Sequence, residues 1–592
     1  MKKELSDFVA LSLKEIQEIN NIEDLVSKIE VSETKNKAHG DYSTNIALIL
    51  SKELKKPPLE IAQLIINASS AVSWLKKSEV AGPGFINFFI SPDSHLEIIS
   101  KILNKKEKFG NIQSTKNSPK VLIEYVSSNP TGPLHVGHGR GAAFGSSIAK
   151  LLKSTGFIVE EEYYVNDYGR QMDILTSSVF IRYLESYDPK VNLPNNCYQG
   201  AYIKDISQSL DKPLVSPFKS EPDVYASNKI YKSINNCKND KGLDNLILLM
   251  KSLKSDKDLY PNFHDIKKAS LDYILNSIKV DLHSFGVKHN NWFFESNLYK
   301  PNNNSVDLVI KELKEKGMTY DDKGATWFKS TNFGDDKDRV IVRENKEKTY
   351  FASDIAYHLN KYNRGFDRII NIWGSDHHGY LPRVTSAMAA LNKDQDKLQI
   401  IFVQFANLVR NNKKVSMSTR GGDFVSLKEL IEEVSADAAR FFYIMRKSDQ
   451  HLDFDLDLAK EQSKDNPLFY IQYAHARICS ILKDSSSEFN LTKSLKEHNY
   501  LTLLKSPLEI ELSKLLNLYP EIIRNASNKF EPHLICYFLK DLASKFHSYY
   551  NSERILIENK ELQSARLLLI AAIKQVISNG LDIIGVSAPE SM

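Results

Sequence analysis

The chain has 592 residues, of which 42% are hydrophobic and 26% are charged. This length exceeds what one hydrophobic core supports, and the composition is typical of folded proteins, so we expect roughly three to five domains rather than a disordered or fibrous chain. The formal net charge is only +4, from 78 basic and 74 acidic residues. Any surface that binds nucleic acid must therefore be a local patch.

The N-terminal segment predicts an amphipathic helix rather than a signal peptide, because Glu4, Asp7 and Lys14 interrupt its apolar positions. The apolar stretch at 567–573 is much shorter than the roughly 20 residues that cross a bilayer. The four cysteines are widely spaced and form no CxxC pair, which argues against a zinc ribbon or a disulfide framework. They are Cys197, Cys237, Cys479 and Cys536. We expect a cytoplasmic protein without a membrane span or a structural metal.

In chain order, the hydrophobic periodicity predicts five segments. They are an N-terminal α/β domain at 1–110, the first half of a nucleotide-binding fold at 111–184, an insertion at 185–335, the second half of that fold at 336–455, and a helical bundle at 456–592. The order strand, loop, helix begins at Val121 and recurs at 367–380 and 398–405, so the predicted fold class is α/β with a doubly wound parallel sheet.

The loop after the first predicted strand of this sheet, TGPLHVGHGRGAAFG at 131–145, predicts a phosphate site. A helix begins near His138, and helix N-termini at the end of parallel strands bind anions. His135 and His138 are three residues apart and can donate to one phosphate oxygen, while Gly137 would let a base or ribose approach the backbone. Two alternatives remain: a tight turn whose histidines are satisfied internally, and a zinc site, which the spacing disfavours.

The HVGH segment resembles the HIGH signature of class I aminoacyl-tRNA synthetases, and IEYVSSNPTGPLHVGHGRG is similar to their arginyl members. Further segments resemble that family in the same order, among them EYYVNDYGRQM, YFASDIAYH, WGSDHHGYLPR and YIQYAHARI. The resemblance implies a Rossmann-like catalytic domain and the reaction of ATP, L-arginine and tRNA(Arg) through an arginyl-adenylate to arginyl-tRNA(Arg), AMP and pyrophosphate. It also implies Mg²⁺ carried with ATP, and we expect a monomer.

A second signature of that class, the mobile KMSKS loop, is degenerate here. The matching stretch is KKVSMSTRGGDF at 413–424, where Ser416 and Thr419 replace the two lysines. Because charge develops on the transferred phosphates, a cation is still needed, and Lys414 and Arg420 are the candidates for this catalytic role. The alternative interpretation is a flexible, solvated loop.

Family resemblance assigns further residues to the two small substrates. ATP would contact Pro133, His135, Gly137, His138, Arg140, Met417 and Ser418. Arginine would contact Glu124, Asn129, His138, Tyr350, Asp354, Asp376 and His377. A guanidinium needs carboxylates in a planar arrangement, which favours the acids in this set. Taken alone, each acid is also typical of a solvated surface pair.

The C-terminal segment combines basic and aromatic residues, as binding of a single-stranded RNA loop requires. We expect tRNA contacts at Lys545, Tyr549, Tyr550 and Arg554, and further contacts from the N-terminal domain at Phe85 and Asn87. A helix with an aromatic core stripe and solvated lysines is the alternative. Two rival functions are a nucleotidylyltransferase, which leaves the helical domain unexplained, and an RNA-binding relative that has lost its activity.

Overall fold

The computed structural model describes most of the chain. The described residues are 2–16, 26–34, 36–72, 74–186, 191–210, 230, 232–252, 263–415, 425–485, 490–496 and 498–592. They form an N-terminal α/β domain, a central domain built on a five-stranded parallel sheet, and a C-terminal helical domain. The predicted fold class is therefore confirmed.

The N-terminal domain is an antiparallel sheet in the order β1-β2-β4-β3, covered by helices. Its elements are α1 (Lys2–Lys14), β1 (Val31–Glu33), β2 (Tyr42–Thr44), α2 (Ile46–Leu54), α3 (Pro58–Ala68), β3 (Leu75–Ala81) and β4 (Phe85–Ile90). Phe8 packs edge-on against Trp74 and Phe88 in its core. Gly82 and Gly84 in the turn before β4 have φ of 52° and 132°, which explains the turn-forming glycines.

The central sheet is parallel throughout, with the strand order β12-β11-β5-β6-β7. Its strands are β5 (Lys120–Glu124), β6 (Ile158–Val165), β7 (Asn291–Phe294), β11 (Arg368–Gly374) and β12 (Leu398–Val403). Glu124 at the end of β5 lies between Glu162 of β6 and Asn371 of β11. Because the chain runs from β5 outwards in both directions, the sheet has its topological switch point beside β5.

Helices cover the sheet and connect its strands. They are α4 (Pro92–Lys105), α5 (Val136–Ser154), α6 (Arg170–Glu185), α7 (Tyr202–Ser209), α8 (Asp240–Ser252), α9 (Phe263–Ser284), α10 (Ser305–Glu315), α11 (Tyr350–Asn363) and α12 (Leu381–Ala390). A small antiparallel sheet joins β8 (Thr319–Asp322), β9 (Ala325–Phe328) and β10 (Arg339–Val342).

The range 185–335, which the sequence analysis assigned to an insertion, contains a strand of the central sheet. Strand β7 lies inside it and is an edge strand of that sheet, paired along β6 from Asn291 to Phe294. Only four residues form the strand, and the polar segments around it hide so short a periodic signal.

After β12 the chain forms a second small sheet and then a helical domain. The sheet pairs β13 (Ala406–Arg410) with β14 (Lys413–Lys414) and β15 (Leu452–Asp455). The helices are α13 (Leu427–Val434), α14 (Ala436–Ile444), α15 (Leu456–Lys460), α16 (Pro467–Asp484), α17 (Leu491–Lys496), α18 (Pro507–Lys529), α19 (His533–Ser552) and α20 (Lys560–Ile583). In the described part of the chain, none of the helices has the length and hydrophobicity that crossing a membrane requires.

The three domains are in direct contact. One hydrophobic core runs from the central sheet into the C-terminal helices, and α4 packs against α18 and α20. Arg440 on α14 is buried and donates to the carbonyls of Phe285 and Ile584 at 2.9 and 3.0 Å. The N-terminal domain is held to α18 by the ion pair of Asp41 and Lys514 at 2.5 Å. The central sheet and the helical domain therefore form one continuously packed unit.

Candidate active site

The loop that leaves β5 crosses the carboxyl ends of the neighbouring strands. After Glu124 the chain passes through Val126 and Ser127 with φ of 71° and 41°, a strained backbone of the kind that concentrates at functional sites. The hydroxyl of Ser127 accepts the N–H of Tyr164 at 3.0 Å and holds this turn on β6. In open parallel sheets ligands bind in this crevice.

His135 and His138 form the entrance of α5. His135 is the N-cap residue, and its Nδ1 accepts the N–H of Gly137 at 3.1 Å, while Nδ1 of His138 accepts the N–H of His135 at 3.3 Å. The ring centroids are 3.7 Å apart. Two imidazoles thus lie together at a helix N-terminus, whose dipole and N–H groups attract anions.

The same contacts fix the protonation of both rings. Because Nδ1 accepts a backbone N–H in each case, the proton of the neutral imidazole lies on Nε2. Burial lowers the pKa of His135 and lowers that of His138 to about 3, where the neighbouring ring adds to the shift. Both rings are therefore neutral at physiological pH and present Nε2–H donors, which suit a phosphate oxygen.

Gly137 does not provide the open space that we expected for a base or ribose. A Cβ atom at this position would lie 2.8 Å from the ring of His135 and 3.5 Å from Phe405. Glycine is required here because the capping imidazole folds back over the first turn of the helix.

Phe405 is an aromatic residue of this crevice that the sequence analysis missed. It follows the carboxyl end of β12, is 43% exposed, and lies 3.5 Å from the Cβ positions of both Gly137 and Gly374. An exposed phenyl ring between two glycine backbones offers a flat surface to a nucleobase. Its position at the carboxyl end of the strand predicted at 398–405 was the signal that would have identified it.

Arg140 has a structural task that does not support the predicted contact with ATP. It is 1% exposed, and its guanidinium donates to the carbonyls of Gln404, Lys447 and Gln450 at 2.7 to 2.8 Å. These bonds hold the segments after β12 and α14 against α5. The sequence could not distinguish this role, because an arginine after the histidine motif is equally suited to a phosphate.

The degenerate loop starts on the small sheet that follows β12. Lys414 is exposed on β14, where it pairs with Val409 of β13. The predicted residues Met417, Ser418 and Arg420 lie outside the described residues.

The segment after this loop returns directly to the histidine motif. Val136 donates its N–H to the carbonyl of Val425 at 3.0 Å, and Leu427 donates to the carbonyl of Leu134 at 2.9 Å. Helix α13 begins there. The chain on the far side of the degenerate loop is therefore bonded to the entrance of α5, although the two segments are far apart in the sequence.

Glu124 and Asp354 both lie near Tyr164. Burial raises the pKa of Tyr164, and the charges of the two carboxylates raise it further. Asp354 lies on α11 and accepts the hydroxyl of Tyr380. Burial raises the pKa of Asp354 to about 7; the charge of Glu124 adds to this shift, and Tyr380 and Lys361 oppose it. Glu124 forms an ion pair with the buried Lys361.

Glu295, directly after β7, completes this acidic pocket and was missed from the sequence. It is 2% exposed and interacts with Ser353 and Tyr164; burial raises its pKa to about 7, and repulsion from Asp354 and Asp167 adds to the shift. The residue lies in the segment assigned to an insertion, so the available signal in the sequence was the aromatic run at 292–294 that precedes it.

Among the described residues, no basic side chain forms an ion pair with Asp354 or Glu295, so the buried carboxyl of Glu295 and the partly buried carboxyl of Asp354 lie near one another without a counter-ion in contact. Such groups take up protons because burial penalises their charged form. A permanent cation that enters the pocket would remove this penalty, and a guanidinium does so with a planar set of donors.

The mouth of the pocket carries two of the predicted arginine contacts. Tyr350 is the first residue of α11, one turn before Asp354, and is half-exposed. Asn129 is exposed on the loop after β5, with its side-chain oxygen 3.3 Å from Nδ2 of Asn166. Pro133, a predicted ATP contact, is exposed on the same loop.

Asp376 and His377 are not brought into the buried pocket. They lie in the turn Ser375–Tyr380 after β11 with their side chains 56% and 60% exposed, and they pair with each other at 3.5 Å. The turn instead directs Tyr380 at Asp354. The structure therefore does not support the prediction that these two residues hold arginine.

The predicted tRNA contacts on α19 divide into core and surface residues. Tyr549 is fully buried and donates its hydroxyl to Glu509 at 3.2 Å, which does not support its predicted contact with RNA. Lys545 pairs with Glu511 at 2.6 Å, and Arg554 is exposed just beyond the helix. The helical period placed Tyr549 on the core face, which the aromatic run alone did not reveal.

Tyr550 belongs to an exposed aromatic surface between α16 and α19. The guanidinium of Arg477 lies 4.6 Å from the ring of Tyr550 and 4.4 Å from that of Tyr473, and Phe469 stacks on Tyr473 at 5.8 Å. Rings and a cation arranged in this way suit the stacking of unpaired bases.

Phe85 and Asn87 line a cavity of about 320 Å³ in the N-terminal domain. Phe85 is partly exposed, whereas Asn87 is buried in β4. His39 and Ser43 lie opposite. An aromatic ring beside an amide is suited to one nucleobase, which the ring stacks and the amide contacts along its edge.

Three family descriptions match consecutive parts of the chain. Residues 3–90 match the arginyl tRNA synthetase N terminal domain, residues 98–456 the catalytic domain of tRNA synthetases class I (R), and residues 471–592 the DALR anticodon binding domain. The match to the catalytic domain covers both signatures, β7 and the acidic pocket.

Relatives and solved structures agree with these matches. The chain is 47% identical over 574 residues to the arginine–tRNA ligase of Hydrogenovibrio crunogenus, with 95% of each chain covered. It is 48% identical over 570 residues to that of Coxiella burnetii, covering 95% of this chain and 94% of the relative. The arginyl-tRNA synthetase of Thermus thermophilus shares the fold, with a TM-score of 0.72 at 20% identity and full coverage of both chains. The chain belongs to the arginyl-tRNA synthetases, the class I family of arginine–tRNA ligases.

Proposed function

We propose that the acidic pocket at the carboxyl ends of β5 and β7 binds the side chain of arginine for activation by ATP. The observation that carries this proposal is a pair of neighbouring carboxyl groups, the buried Glu295 and the partly buried Asp354, which form no ion pair among the described residues. Glu124 lies beside them, and Tyr350 and Asn129 stand at the mouth, where the polar end of the amino acid would lie.

ATP lies next to this pocket, along the entrance of α5. The phosphates lie near His135 and His138, whose Nδ1 atoms accept backbone N–H groups and whose protons are therefore on Nε2. The base stacks on Phe405, close to Gly374. Both substrates then approach each other above the end of β5, where a sheet of this topology has its binding crevice.

The chemistry requires no nucleophile from the protein. The carboxylate of arginine attacks the α-phosphorus of ATP, and pyrophosphate leaves, which gives arginyl-adenylate. A hydroxyl of the terminal ribose of tRNA(Arg) then attacks the activated carbonyl, and AMP leaves. Positioning and neutralisation of phosphate charge supply the rate. Lys414 and Arg420 are the proposed cations on the degenerate loop.

Mg²⁺ is proposed to arrive with the phosphates of ATP. Within the described ranges, no group of three or more His, Cys, Asp or Glu side chains is placed to hold a metal, and a nucleotide-borne Mg²⁺ needs few protein ligands. It would reduce the negative charge of the phosphates near His135 and His138.

The tRNA is proposed to contact two surfaces. Its anticodon bases stack on Tyr550 and the neighbouring Tyr473 and Arg477, with Arg554 and Lys545 toward the backbone phosphates. A base from another part of the tRNA enters the cavity of Phe85 and Asn87 in the N-terminal domain. Both surfaces combine rings and polar groups rather than bulk positive charge, in agreement with the small net charge.

The four cysteines are free thiols, which supports a reducing compartment, and we propose the cytoplasm. We further propose that the protein acts as a monomer, because the acidic pocket and the histidine motif are assembled from a single chain.

A charging assay with total tRNA and a panel of amino acids tests the site assignment. We expect wild type to accept arginine alone, and Asp354→Asn to lose arginine charging at least tenfold through a higher KM for arginine, since it removes one guanidinium partner. Asp272→Asn, on the exposed face of α9, is the matched control and should charge normally. An unchanged KM for arginine in Asp354→Asn would remove the pocket from the proposal.

A further inference from the structure

Lys361 is a completely buried lysine directly beneath the acidic pocket. It is 0% exposed and lies on α11, two helical turns after Asp354. Its ammonium forms an ion pair with Glu124, donates to Oδ1 of Asn371 at 2.7 Å, and lies 4.4 Å from the ring centre of Tyr357. Protein atoms surround the ammonium, so Lys361 cannot itself touch a substrate.

The ion pair uses only part of Glu124. Oε2 accepts the ammonium of Lys361, whereas the structure gives Oε1 no hydrogen-bond partner among the described residues. Glu124 is 7% exposed, and Oε1 is not among the fully buried side-chain atoms that lack a hydrogen-bond partner, so this oxygen keeps a small contact with solvent that a donor from a substrate could replace. Oε2 of Glu124 is therefore anchored by Lys361, and Oε1 remains available to a hydrogen-bond donor from a substrate.

The anchoring extends to the other wall of the pocket. The amide of Asn371 contacts Nε2 of His358 at 2.8 Å, and Nδ1 of His358 contacts the carbonyl of Asp354 at 2.8 Å. Lys361 thus connects the end of β5, the middle of β11 and the first half of α11. The network therefore links Glu124 to the backbone of α11 at Asp354, the helix that carries the second acid of the pocket.

The ammonium also sets the charge of the pocket. Lys361 compensates Glu124, so that the charge available to a bound guanidinium comes from Asp354 and Glu295. The ionisable groups that face Glu124 are Lys361, Asp354 and Tyr357 from α11, and Glu162 and Tyr164 from β6. Lys361 is the one cation among these described neighbours. Glu162 has its own partner, the guanidinium of Arg364 at 2.5 Å, so Lys361 is the cation that compensates Glu124 itself.

We propose that Lys361 is a positioning residue for arginine: its ion pair with Oε2 holds the carboxylate of Glu124 in place, with Oε1 directed to the substrate. This inference rests on the proposed binding of arginine by Glu124 and adds a residue that acts only through that carboxylate. In this proposal Lys361 affects the binding of the amino acid and not the binding of ATP.

A double-mutant cycle with Lys361→Met and Glu124→Gln tests it, because two residues that act as a unit are not additive. We expect Lys361→Met to raise the KM for arginine about tenfold, the loss of one charge-assisted hydrogen bond, and to leave the KM for ATP within about twofold. Glu124→Gln should raise it at least as much, and the double variant should match Glu124→Gln. Lys311→Met, on the exposed face of α10, is the control for loss of a lysine and should behave as wild type.

Several outcomes would overturn the inference. Effects that multiply in the double variant, or equal losses for arginine and ATP, would show that Lys361 only supports the fold. If Glu124→Gln alone leaves arginine binding intact, the proposed role of Glu124 fails together with this inference; if only Lys361→Met is silent, the inference fails alone. Should Lys361→Met not fold, Lys361→Gln takes its place: it removes the positive charge but keeps polar atoms, and its effect on the KM for arginine must still vanish in the Glu124→Gln background.

Discussion

Acidification should weaken the binding of arginine well before it affects ATP. The pKa of Asp354 and that of Glu295 are both raised by burial to about 7, so each carboxyl is largely protonated below pH 7. A guanidinium binds the ionised form, and binding must therefore release protons. If one carboxyl has to ionise, the apparent KM scales with 1 + 10^(pKa − pH), which is about 1.1 at pH 8 and about 11 at pH 6. The KM for arginine should rise about tenfold over this range, and about a hundredfold if both groups must ionise.

The assay is aminoacylation at saturating tRNA between pH 6 and 8.5, with the KM for ATP as the internal control. The pKa of His138 is lowered to about 3 by burial, so this imidazole does not titrate in the window. Calorimetry of arginine binding in two buffers of different ionisation enthalpy counts the released protons directly. A KM for arginine that stays constant from pH 8 to pH 6, or binding without proton release, would refute the assignment of the guanidinium to these carboxyls.

Further predictions concern single residues. Asp354→Asn should raise the free energy of unfolding by about 2 kcal/mol at pH 8 and by less at pH 5. The raised pKa of Asp354 makes the native state bind more protons than the unfolded state, so this carboxyl lowers stability as the pH rises toward 7. Urea titrations at both pH values measure the change, and an equal change at both would contradict the prediction. His138→Ala should lower kcat by about a hundredfold with little change in the KM for arginine, measured by charging kinetics, and a pure KM effect would argue against a phosphate contact. Arg140→Met should lower the free energy of unfolding by about 3 kcal/mol, since three carbonyls lose their donor, while the KM for ATP in the folded fraction stays the same; a selective loss of ATP affinity would restore the original prediction. Tyr550→Ala should weaken tRNA binding by about 1–3 kcal/mol in a filter-binding assay without lowering thermal stability, whereas Tyr549→Ala should unfold the helical domain.

The parts of the site that could be predicted from the sequence are those determined by local geometry. His135 and His138 are one helical turn apart, and any helix that begins between them brings their rings together. Asp354 follows Tyr350 by four residues on a helix whose period is visible in the sequence. These relations depend on the local helix geometry alone and not on contacts with distant parts of the chain.

The parts that could not be predicted depend on contacts between distant segments. Glu295 enters the pocket only because a four-residue strand, β7, joins the parallel sheet at its edge. Arg140 and Tyr549 carry the right chemistry for phosphate and RNA, but their helix faces turn them toward carbonyls and core side chains. Residue type indicates what a side chain can bind, and burial decides whether a ligand can reach it.

The acidic pocket ties amino-acid selectivity to an unfavourable feature of the fold. Glu295 is buried and Asp354 is partly buried, and neither forms an ion pair among the described residues, which costs stability. In the proposed function, a charged ligand beside Tyr164 offsets this cost. A neutral isostere of arginine with the same shape, such as citrulline, leaves both carboxyls uncompensated and gains only packing. A lysine side chain carries the charge on a single nitrogen and cannot bridge two separated carboxyls with planar donors. If arginine binds as proposed, discrimination follows from the acids that surround its guanidinium, Asp354, Glu295 and Glu124, of which Lys361 anchors Glu124.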